Sequence, residues 1–214
     1  MKLVHVLLDE TGSMMGKLAA TIEGINAYYD TITEAPDIRV ALTKFDTTGY
    51  RTLHEGFVKP ADATRLSKEN YRPNASTNLF DAVAHVIHQT ESDVDAARRF
   101  DNEVGVLIVV YTDGEENASV EQTVESLNSL IKAKESQGWT FMYLGAEKEA
   151  WMNERMFVGT MSAANVYKSR GASGTVAAMS AASASTLNWA NNSIGGTTVI
   201  VTEEQQQSVT DNSV

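Results

Sequence analysis

The amino-acid sequence predicts an α/β fold with a doubly wound, mostly parallel central sheet, one antiparallel edge strand and helices on both faces. Two apolar runs, at residues 3–8 and 104–111, are typical of strands that are buried on both faces of a parallel sheet. Stretches with apolar residues at spacings of three and four, typical of amphipathic helices, alternate with such runs along the chain. This alternation favours right-handed crossovers between parallel strands.

The first half of the chain accounts for the edge of the predicted sheet. The strand at residues 3–8 leads into a helical stripe that consists of Met15, Leu18, Ile22, Ile25 and Tyr29. After a turn at Pro36, a second strand is expected at residues 38–45 and a third at residues 50–57. The link between these two strands is short, so we expect a hairpin with the third strand at the edge of the sheet.

The second half of the chain supplies the centre of the sheet and its other side. A second helical stripe follows the polar residues 58–76 and consists of Leu79, Val83, Val86 and Ile87. The strand at residues 104–111 is the most hydrophobic stretch of the chain and is expected at the centre of the sheet. A third stripe consists of Val120, Val124, Leu127 and Leu130. Residues 139–144 then predict another strand, and residues 147–156 predict a short helix.

The composition changes over the last quarter of the chain, which is rich in Ala, Ser, Thr, Asn and Gln. One interpretation is a solvated tail, and the other is a short strand at residues 164–167 followed by a helix at residues 174–189. The second is favoured, because a stripe that can be buried is formed by Val176, Met179, Leu187 and Trp189. We therefore expect one domain over residues 1–192 and a flexible C-terminal tail over residues 193–214.

The composition also limits the classes of function. The 214 residues include 17 Lys and Arg against 28 Asp and Glu, and the formal net charge of −11 disfavours binding to nucleic acid. The absence of cysteine excludes disulfides, thiolate metal sites and cysteine nucleophiles. No stretch approaches the ~20 apolar residues of a membrane span, and the first residues lack the pattern of a secretory signal. We therefore expect a cytoplasmic protein that does not contact a membrane.

Oxygen-bearing side chains follow the strands of the predicted sheet. Asp9, Thr11 and Ser13 alternate in the loop after the first strand, so their oxygens can point to one side. Asp113 follows the central strand, and Thr77 heads the second helix. These positions share the edge of the sheet where such folds bind ligands. Two carboxylates and three hydroxyls favour Mg²⁺, Mn²⁺ or Ca²⁺, and the ion would still attract an external carboxylate, such as a partner's Asp or Glu.

Three short motifs of the chain resemble the metal-ion-dependent adhesion site of the von Willebrand factor type A (vWA) family. They are Asp9-Glu10-Thr11-Gly12-Ser13, Thr77-Asn78-Leu79-Phe80-Asp81 and Thr112-Asp113-Gly114-Glu115-Glu116. Thr11 stands where the family usually has Ser, and the hydroxyl is kept. The order and spacing of the motifs agree with the family. The resemblance implies the Rossmann-like vWA fold, in its intracellular bacterial or phage form.

The resemblance also implies a metal site and a binding function. The implied metal ligands are Asp9, Thr11, Ser13, Thr77 and Asp113, with Mg²⁺, or else Mn²⁺ or Ca²⁺, as the cation. Asp81 would hold the loop and not bind the metal. The implied function is a metal-dependent protein-binding module that docks an acidic residue of a partner protein, as an adaptor or assembly factor. The resemblance suggests a MoxR-type AAA+ ATPase as one such partner.

Two other functions are alternatives to this one. A phage or bacterial structural or assembly component would use the same metal site only for stability. A Mg²⁺-dependent phosphatase is disfavoured, because Thr11 stands where a haloacid-dehalogenase-type enzyme needs a second acid. The chain also lacks glycine-rich phosphate-binding fingerprints and a candidate pair of nucleophile and base. We therefore expect a protein without enzymatic activity.

Some candidate residues have simpler explanations. Thr77 could cap the helix that follows it, because Thr is a good N-cap residue. Glu115 and Glu116 could tune the charge of the site or lie in a solvated loop, and both interpretations are kept. His85 and His88 are three residues apart on a predicted helix, so zinc binding is conceivable, but packing or surface roles are favoured.

Overall fold

A six-stranded sheet forms the centre of the structure. The structure is a computed structural model, and it describes residues 1–35, 37–101, 103–113, 116–146, 166–169 and 171–192. The strands are β1 (Lys2–Asp9), β2 (Ile38–Asp46), β3 (Gly49–Thr52), β4 (Gly105–Thr112), β5 (Thr140–Ala146) and β6 (Val166–Ser169). They lie in the order β3-β2-β1-β4-β5-β6; β3 runs antiparallel to β2, and the other neighbours are parallel. The predicted fold class is confirmed.

Helices cover both faces of the sheet. They are α1 (Leu18–Ile32), α2 (Leu79–Ala97), α3 (Val124–Ser136) and α4 (Gly171–Asn191). Alternate side chains of β1 enter two separate cores, because successive residues of a strand point to opposite faces. Val4 packs with residues of α1 and α4, whereas Leu3 packs with residues of α2 and α3. This arrangement makes the fold doubly wound and brings the carboxyl ends of β1 and β4 together at one edge.

The edge strand β3 is shorter than the strand predicted at residues 50–57. It ends at Thr52, and the chain meets β2 again at Val58, which forms an isolated bridge with Val40. Between these contacts Gly56 has a φ of 64°, a left-handed conformation that glycine adopts readily and that interrupts the strand. The predicted hairpin of β2 and β3 is confirmed.

Two apolar residues that were expected in buried helical stripes lie at the surface. Met15 is 58% exposed and Val120 is 90% exposed. Met15 belongs to a 3-10 helix at Gly12–Lys17, whose tighter winding buries Met14 instead. Val120 precedes α3, whose start is fixed by the capping box of Thr123. Both expectations were wrong, because each α-helix begins later than the apolar spacing indicates.

The last helix decides between the two interpretations of the C-terminal quarter. α4 contains the helix predicted at residues 174–189, and it buries Met179 and Trp189. It packs so closely against α1 that a Cβ atom on Gly24 would lie 3.0 Å from Cγ of Met179. Residues 171–191 are therefore a packed helix of the domain and not part of a solvated tail.

Several predictions fall partly or wholly outside the described residues. The strand expected at residues 164–167 overlaps β6 from Val166 onward. The helix expected at residues 147–156 and the tail expected at residues 193–214 lie outside the described part of the chain. Among the residues that the structure does describe, no helix is long and apolar enough to cross a membrane.

His5 is a fully buried titratable side chain in β1. Its Nδ1 atom is hydrogen-bonded to Oγ1 of Thr90 at 2.8 Å, and its Nε2 atom to Oγ1 of Thr43 at 2.9 Å. Burial, together with smaller effects of His85 and His54, lowers the pKa of His5 from 6.5 to about 3. The imidazole is therefore neutral, and it can donate at one nitrogen while it accepts at the other.

His5→Gln is expected to make the stability of the protein less sensitive to acid. In the wild type, the unfolded chain takes up a proton at His5 below pH 6.5, whereas the folded protein does not until about pH 3, so stability falls as the pH drops through this range. This site should remove about 2 kcal/mol of unfolding free energy between pH 7 and pH 5. Urea denaturation of both proteins at the two pH values measures the difference. An equal acid-dependent loss in the variant would contradict this role of His5.

Candidate metal centre

Asp9 lies at the carboxyl end of β1 and is completely buried. Its Oδ1 atom accepts a hydrogen bond from the backbone N–H of Thr11 at 2.7 Å, and its Oδ2 atom accepts one from the hydroxyl of Thr112 at 2.5 Å. Thr112 reaches Asp9 because β4 is the direct neighbour of β1 in the sheet. The orientation of the Asp9 carboxylate is thus fixed by its own loop and by the adjacent strand.

The three predicted hydroxyls and the second predicted carboxylate form a continuous hydrogen-bonded chain. The hydroxyl of Thr77 donates to Oγ1 of Thr11 at 3.2 Å, and Oγ1 of Thr11 lies 3.1 Å from Oγ of Ser13. Ser13 in turn donates to Oδ1 of Asp113 at 2.6 Å. Asp9 is joined to this chain through the backbone of Thr11. The structure therefore brings together all five residues that were predicted as metal ligands.

Backbone contacts tie together the three loops of the site. The N–H of Gly12 donates to the carbonyl of Ala75 at 3.1 Å, which joins the loop after β1 to the loop before α2. Ala75 has a φ of 61°, a left-handed conformation that costs a residue with a Cβ atom roughly 1–2 kcal/mol. The side-chain oxygen of Asn117 accepts from the Thr77 N–H, and the Asn117 N–H donates to the Thr77 carbonyl, both at 3.1 Å. Thr77 is thus positioned by the loop after β4.

Thr77 does not cap α2, which was the simpler explanation of this residue. Asn78 occupies the N-cap position and makes no side-chain capping hydrogen bond. The N–H of Phe80 donates instead to Oε2 of Glu116 at 3.0 Å, and Glu116 also accepts hydrogen bonds from its own loop. Glu116 therefore holds the start of α2 against the loop after β4, a role that was not among those expected. Glu115 lies outside the described residues.

Asp81 has the structural role that the family resemblance implies. It lies in the first turn of α2 and is only 6% exposed. Its carboxylate accepts backbone hydrogen bonds from Val120, Glu121 and Gln122, at 2.8, 3.1 and 2.8 Å. Asp81 thus anchors the segment that leads from β4 to α3.

Burial dominates the electrostatics of the site. It raises the pKa of Asp9 from 3.8 to about 6, and the charge of Asp113 acts in the same direction, while hydrogen bonds from Thr112 and Thr11 oppose the shift. Asp9 and Asp113 are both buried, so little water is available to stabilise their charges. A cation bound at this site would stabilise the ionised form of Asp9.

The sequence alone did not reveal two side chains that contact the predicted ligands. Nζ of Lys17 lies 2.7 Å from Oδ2 of Asp113, and the hydroxyl of Tyr71 donates to the main-chain oxygen of Asp9 at 2.7 Å. The position of Lys17, four residues after Ser13, was the signal that could have indicated its contact. No local pattern marks Tyr71, which comes from the irregular stretch before α2.

The donors of the site fit a hard divalent cation. Two buried carboxylates and three hydroxyls meet here, and all of them are oxygen ligands of the kind that Mg²⁺, Mn²⁺ and Ca²⁺ prefer. Within the described part of the chain, no group of three or more Asp, Glu, His or Cys side chains could hold a metal ion. A cation at this place would therefore depend on the hydroxyls as well as on the two carboxylates.

The histidine pair of α2 has the packing and surface roles that were favoured. The imidazole of His85 stacks on the ring of Tyr50, with ring centroids 4.0 Å apart and an angle of 19° between the planes. His88 is exposed, and its Nδ1 atom lies 3.8 Å from a carboxylate oxygen of Glu91.

Solved structures with the same fold include two bacterial pilus proteins and a von Willebrand factor type A protein. The von Willebrand factor domain of the type V pili tip protein Mfa5 from Porphyromonas gingivalis has a TM-score of 0.66 and 10% identity, over 90% of this chain and 97% of that one. A von Willebrand factor type A protein from Catenulispora acidiphila has a TM-score of 0.61 and 17% identity, over 87% of this chain and 42% of that one. The PilB minor pilin from Streptococcus sanguinis has a TM-score of 0.60 and 12% identity, over 88% of this chain and 60% of that one. At these identities the likeness shows the fold alone.

The match to a family model covers most of the chain. The model of the von Willebrand factor type A domain matches residues 4–179, which contain all three motifs of the site. A search of curated protein sequences found no significant match. The chain therefore belongs to the von Willebrand factor type A domain family, whose members generally act as protein-interaction or adhesion modules.

Proposed function

We propose that this domain is a metal-dependent protein-binding module, in which a bound divalent cation receives an acidic residue of a partner protein. The observation that carries the proposal is the hydrogen-bonded chain of oxygens from Thr77 through Thr11 and Ser13 to Asp113, with Asp9 joined to it. The proposed ligands are these five residues, with Mg²⁺ as the first candidate cation and Mn²⁺ or Ca²⁺ as the others.

The charges of the proposed ligands explain why the site would bind a partner. Asp9 and Asp113 together neutralise a divalent cation, and the three hydroxyls add no charge. Such an ion keeps its affinity for an additional anionic oxygen, and an Asp or Glu of another protein supplies one. The exposed Met15, two residues after Ser13, adds an apolar contact beside the site for the same partner.

Each side chain would have a distinct role. Asp9 and Asp113 supply the negative charge, and the hydrogen bonds that they accept from Thr112 and Ser13 keep the carboxylates oriented. The hydroxyls supply neutral oxygen donors. Thr77 lies in the loop before α2, whereas Thr11 lies in the loop after β1. A small movement of the loop before α2 would therefore change the distance between the two hydroxyls. The partner that the family resemblance suggests is a MoxR-type AAA+ ATPase. Binding to such a partner would make this protein an adaptor and would place it in the cytoplasm.

Metal binding is the first test of the proposal. Isothermal titration calorimetry with MgCl₂, MnCl₂ and CaCl₂ on EDTA-treated protein is expected to show one site. At a free concentration of 100 times Kd, the cation should stabilise the fold by about 2.7 kcal/mol in thermal unfolding. The absence of both signals with all three cations would overturn the metal-dependent proposal.

Partner capture is the second test. The purified domain is used as bait for the AAA+ ATPase encoded in the same organism, in Mg²⁺ and in EDTA. Binding in Mg²⁺ that is lost in EDTA supports the proposed module. If the domain binds metal but captures the ATPase equally well in Mg²⁺ and in EDTA, the proposed module is contradicted. That result would favour a metal site that only stabilises the fold.

A further inference from the structure

Lys17 makes direct contact with one of the two acidic residues of the candidate metal centre. It is the last residue of the 3-10 helix at Gly12–Lys17, and Nζ lies 2.7 Å from Oδ2 of Asp113. The contact is largely shielded from water, since the side chains are 13% and 2% exposed. The other oxygen of Asp113 accepts the hydrogen bond from Ser13. Both carboxylate oxygens of Asp113 are therefore engaged within the protein itself.

We propose that Lys17 is an internal counter-ion of Asp113 that competes with the divalent cation and thereby lowers the affinity of the site for metal. This inference rests on the proposed metal site. It assigns to Lys17 a regulating role that differs from that of a ligand, since an ammonium group has no lone pair to offer a cation.

The charge balance of the site favours this competition when no partner is bound. Without a metal, the ammonium of Lys17 compensates one of the two carboxylate charges and leaves one negative charge. With Lys17 in place, a divalent cation would turn that remainder into one positive charge in a buried site. Uncompensated buried charge is unfavourable, so Lys17 is expected to leave Asp113 when a cation binds without a partner's carboxylate. Its flexible four-carbon stem allows the ammonium group to move into water.

The other lysines with short-range ion pairs among the described residues contact different acids. Lys44 pairs with Glu10 at 3.0 Å, and Lys134 pairs with Glu91. Neither carboxylate is a proposed metal ligand. The competition is therefore a specific property of Lys17 and not a general effect of nearby basic side chains.

Lys17→Met tests the inference, because it keeps the length of the side chain and removes the charge. Calorimetry with MgCl₂ alone is expected to show Mg²⁺ binding tighter than in the wild type by on the order of tenfold to a hundredfold, the range that one charge-assisted contact represents. Lys17→Arg keeps the positive charge and should bind Mg²⁺ about as weakly as the wild type. Lys68→Met is the matched control, since it removes a positive charge from an exposed position and should not change the affinity.

Thermal unfolding in EDTA supplies a readout that does not depend on calorimetry. Lys17→Met should unfold at a lower temperature than the wild type without metal, and the difference should shrink or reverse at saturating Mg²⁺. If Lys17→Met does not fold in EDTA, Lys17→Gln, which keeps a polar donor, takes its place in both measurements.

The outcomes separate the inference from the function on which it rests. Mg²⁺ binding by the wild type with equal or weaker binding by the uncharged Lys17 variants overturns the inference and leaves the proposed metal site intact. An equal gain in affinity in Lys68→Met would also overturn it, because the effect would then be general. The absence of binding in the wild type and in every variant overturns the proposed function and the inference with it.

Discussion

Asp113→Asn is expected to abolish Mg²⁺ binding. The substitution removes one of the two carboxylates, so a divalent cation would face the single charge of Asp9 in a buried site, where uncompensated charge is costly. The loss of affinity should exceed the roughly 10–100-fold that follows the change of an outer-shell residue around a metal. Calorimetry with MgCl₂ measures it directly, and the stabilisation by Mg²⁺ in thermal unfolding should disappear as well. Capture of a metal-dependent partner should be lost in the same variant.

The asparagine variant is chosen because it preserves the shape of the site. The amide oxygen can still accept the hydrogen bond from Ser13, while the ion pair with Lys17 is lost. Circular dichroism in EDTA should therefore show a folded protein. Asp37→Asn is the matched control, since this exposed carboxylate precedes β2 and lies at the opposite edge of the sheet. Wild-type Mg²⁺ affinity in Asp113→Asn would contradict the assignment of Asp113 as a ligand.

Asp81→Ala is expected to lower the free energy of unfolding by about 3–5 kcal/mol, among the larger effects of single substitutions. The carboxylate of Asp81 accepts the N–H groups of Val120, Glu121 and Gln122, and alanine offers no acceptor for any of them. Part-buried N–H groups that lose a charged acceptor cost about 1–3 kcal/mol each, reduced where water can replace the lost partner. Urea denaturation of the wild type and the variant measures the difference.

Two further variants make the Asp81 test specific. Asp81→Asn keeps one acceptor oxygen and should lose less stability than Asp81→Ala. Asp95→Ala removes an exposed carboxylate from the same helix and should change the stability by no more than about 0.5 kcal/mol. A loss below about 1 kcal/mol in Asp81→Ala would mean that the segment between β4 and α3 is held mainly by other contacts, such as those of Glu116.

The prediction of the fold from the sequence succeeded where the pattern depends on one segment at a time. The doubly buried strands β1 and β4 are continuous apolar runs, and the hairpin of β2 and β3 follows from a short link. The prediction failed where neighbouring turns shift the start of a helix. Met14 and Met15 are equally apolar, and the 3-10 helix at Gly12–Lys17 decides which of them is buried.

The pattern of residues was enough to predict the described strands and main helices in their order along the chain. It was also enough to name the five oxygen-bearing residues of the candidate site, because spacing along a strand end or loop restricts where a side chain can point. Only the tertiary structure showed that Lys17 pairs with Asp113, that Glu116 holds the N–H of Phe80, and that Asn117 positions Thr77. These partners lie 36 to 96 residues apart along the chain. The spacing of Lys17 after Ser13 indicates at most that Lys17 lies near the site, and no local pattern encodes the partner of any of these residues, because the contacts exist only once parallel strands bring their carboxyl ends to the same edge of the sheet.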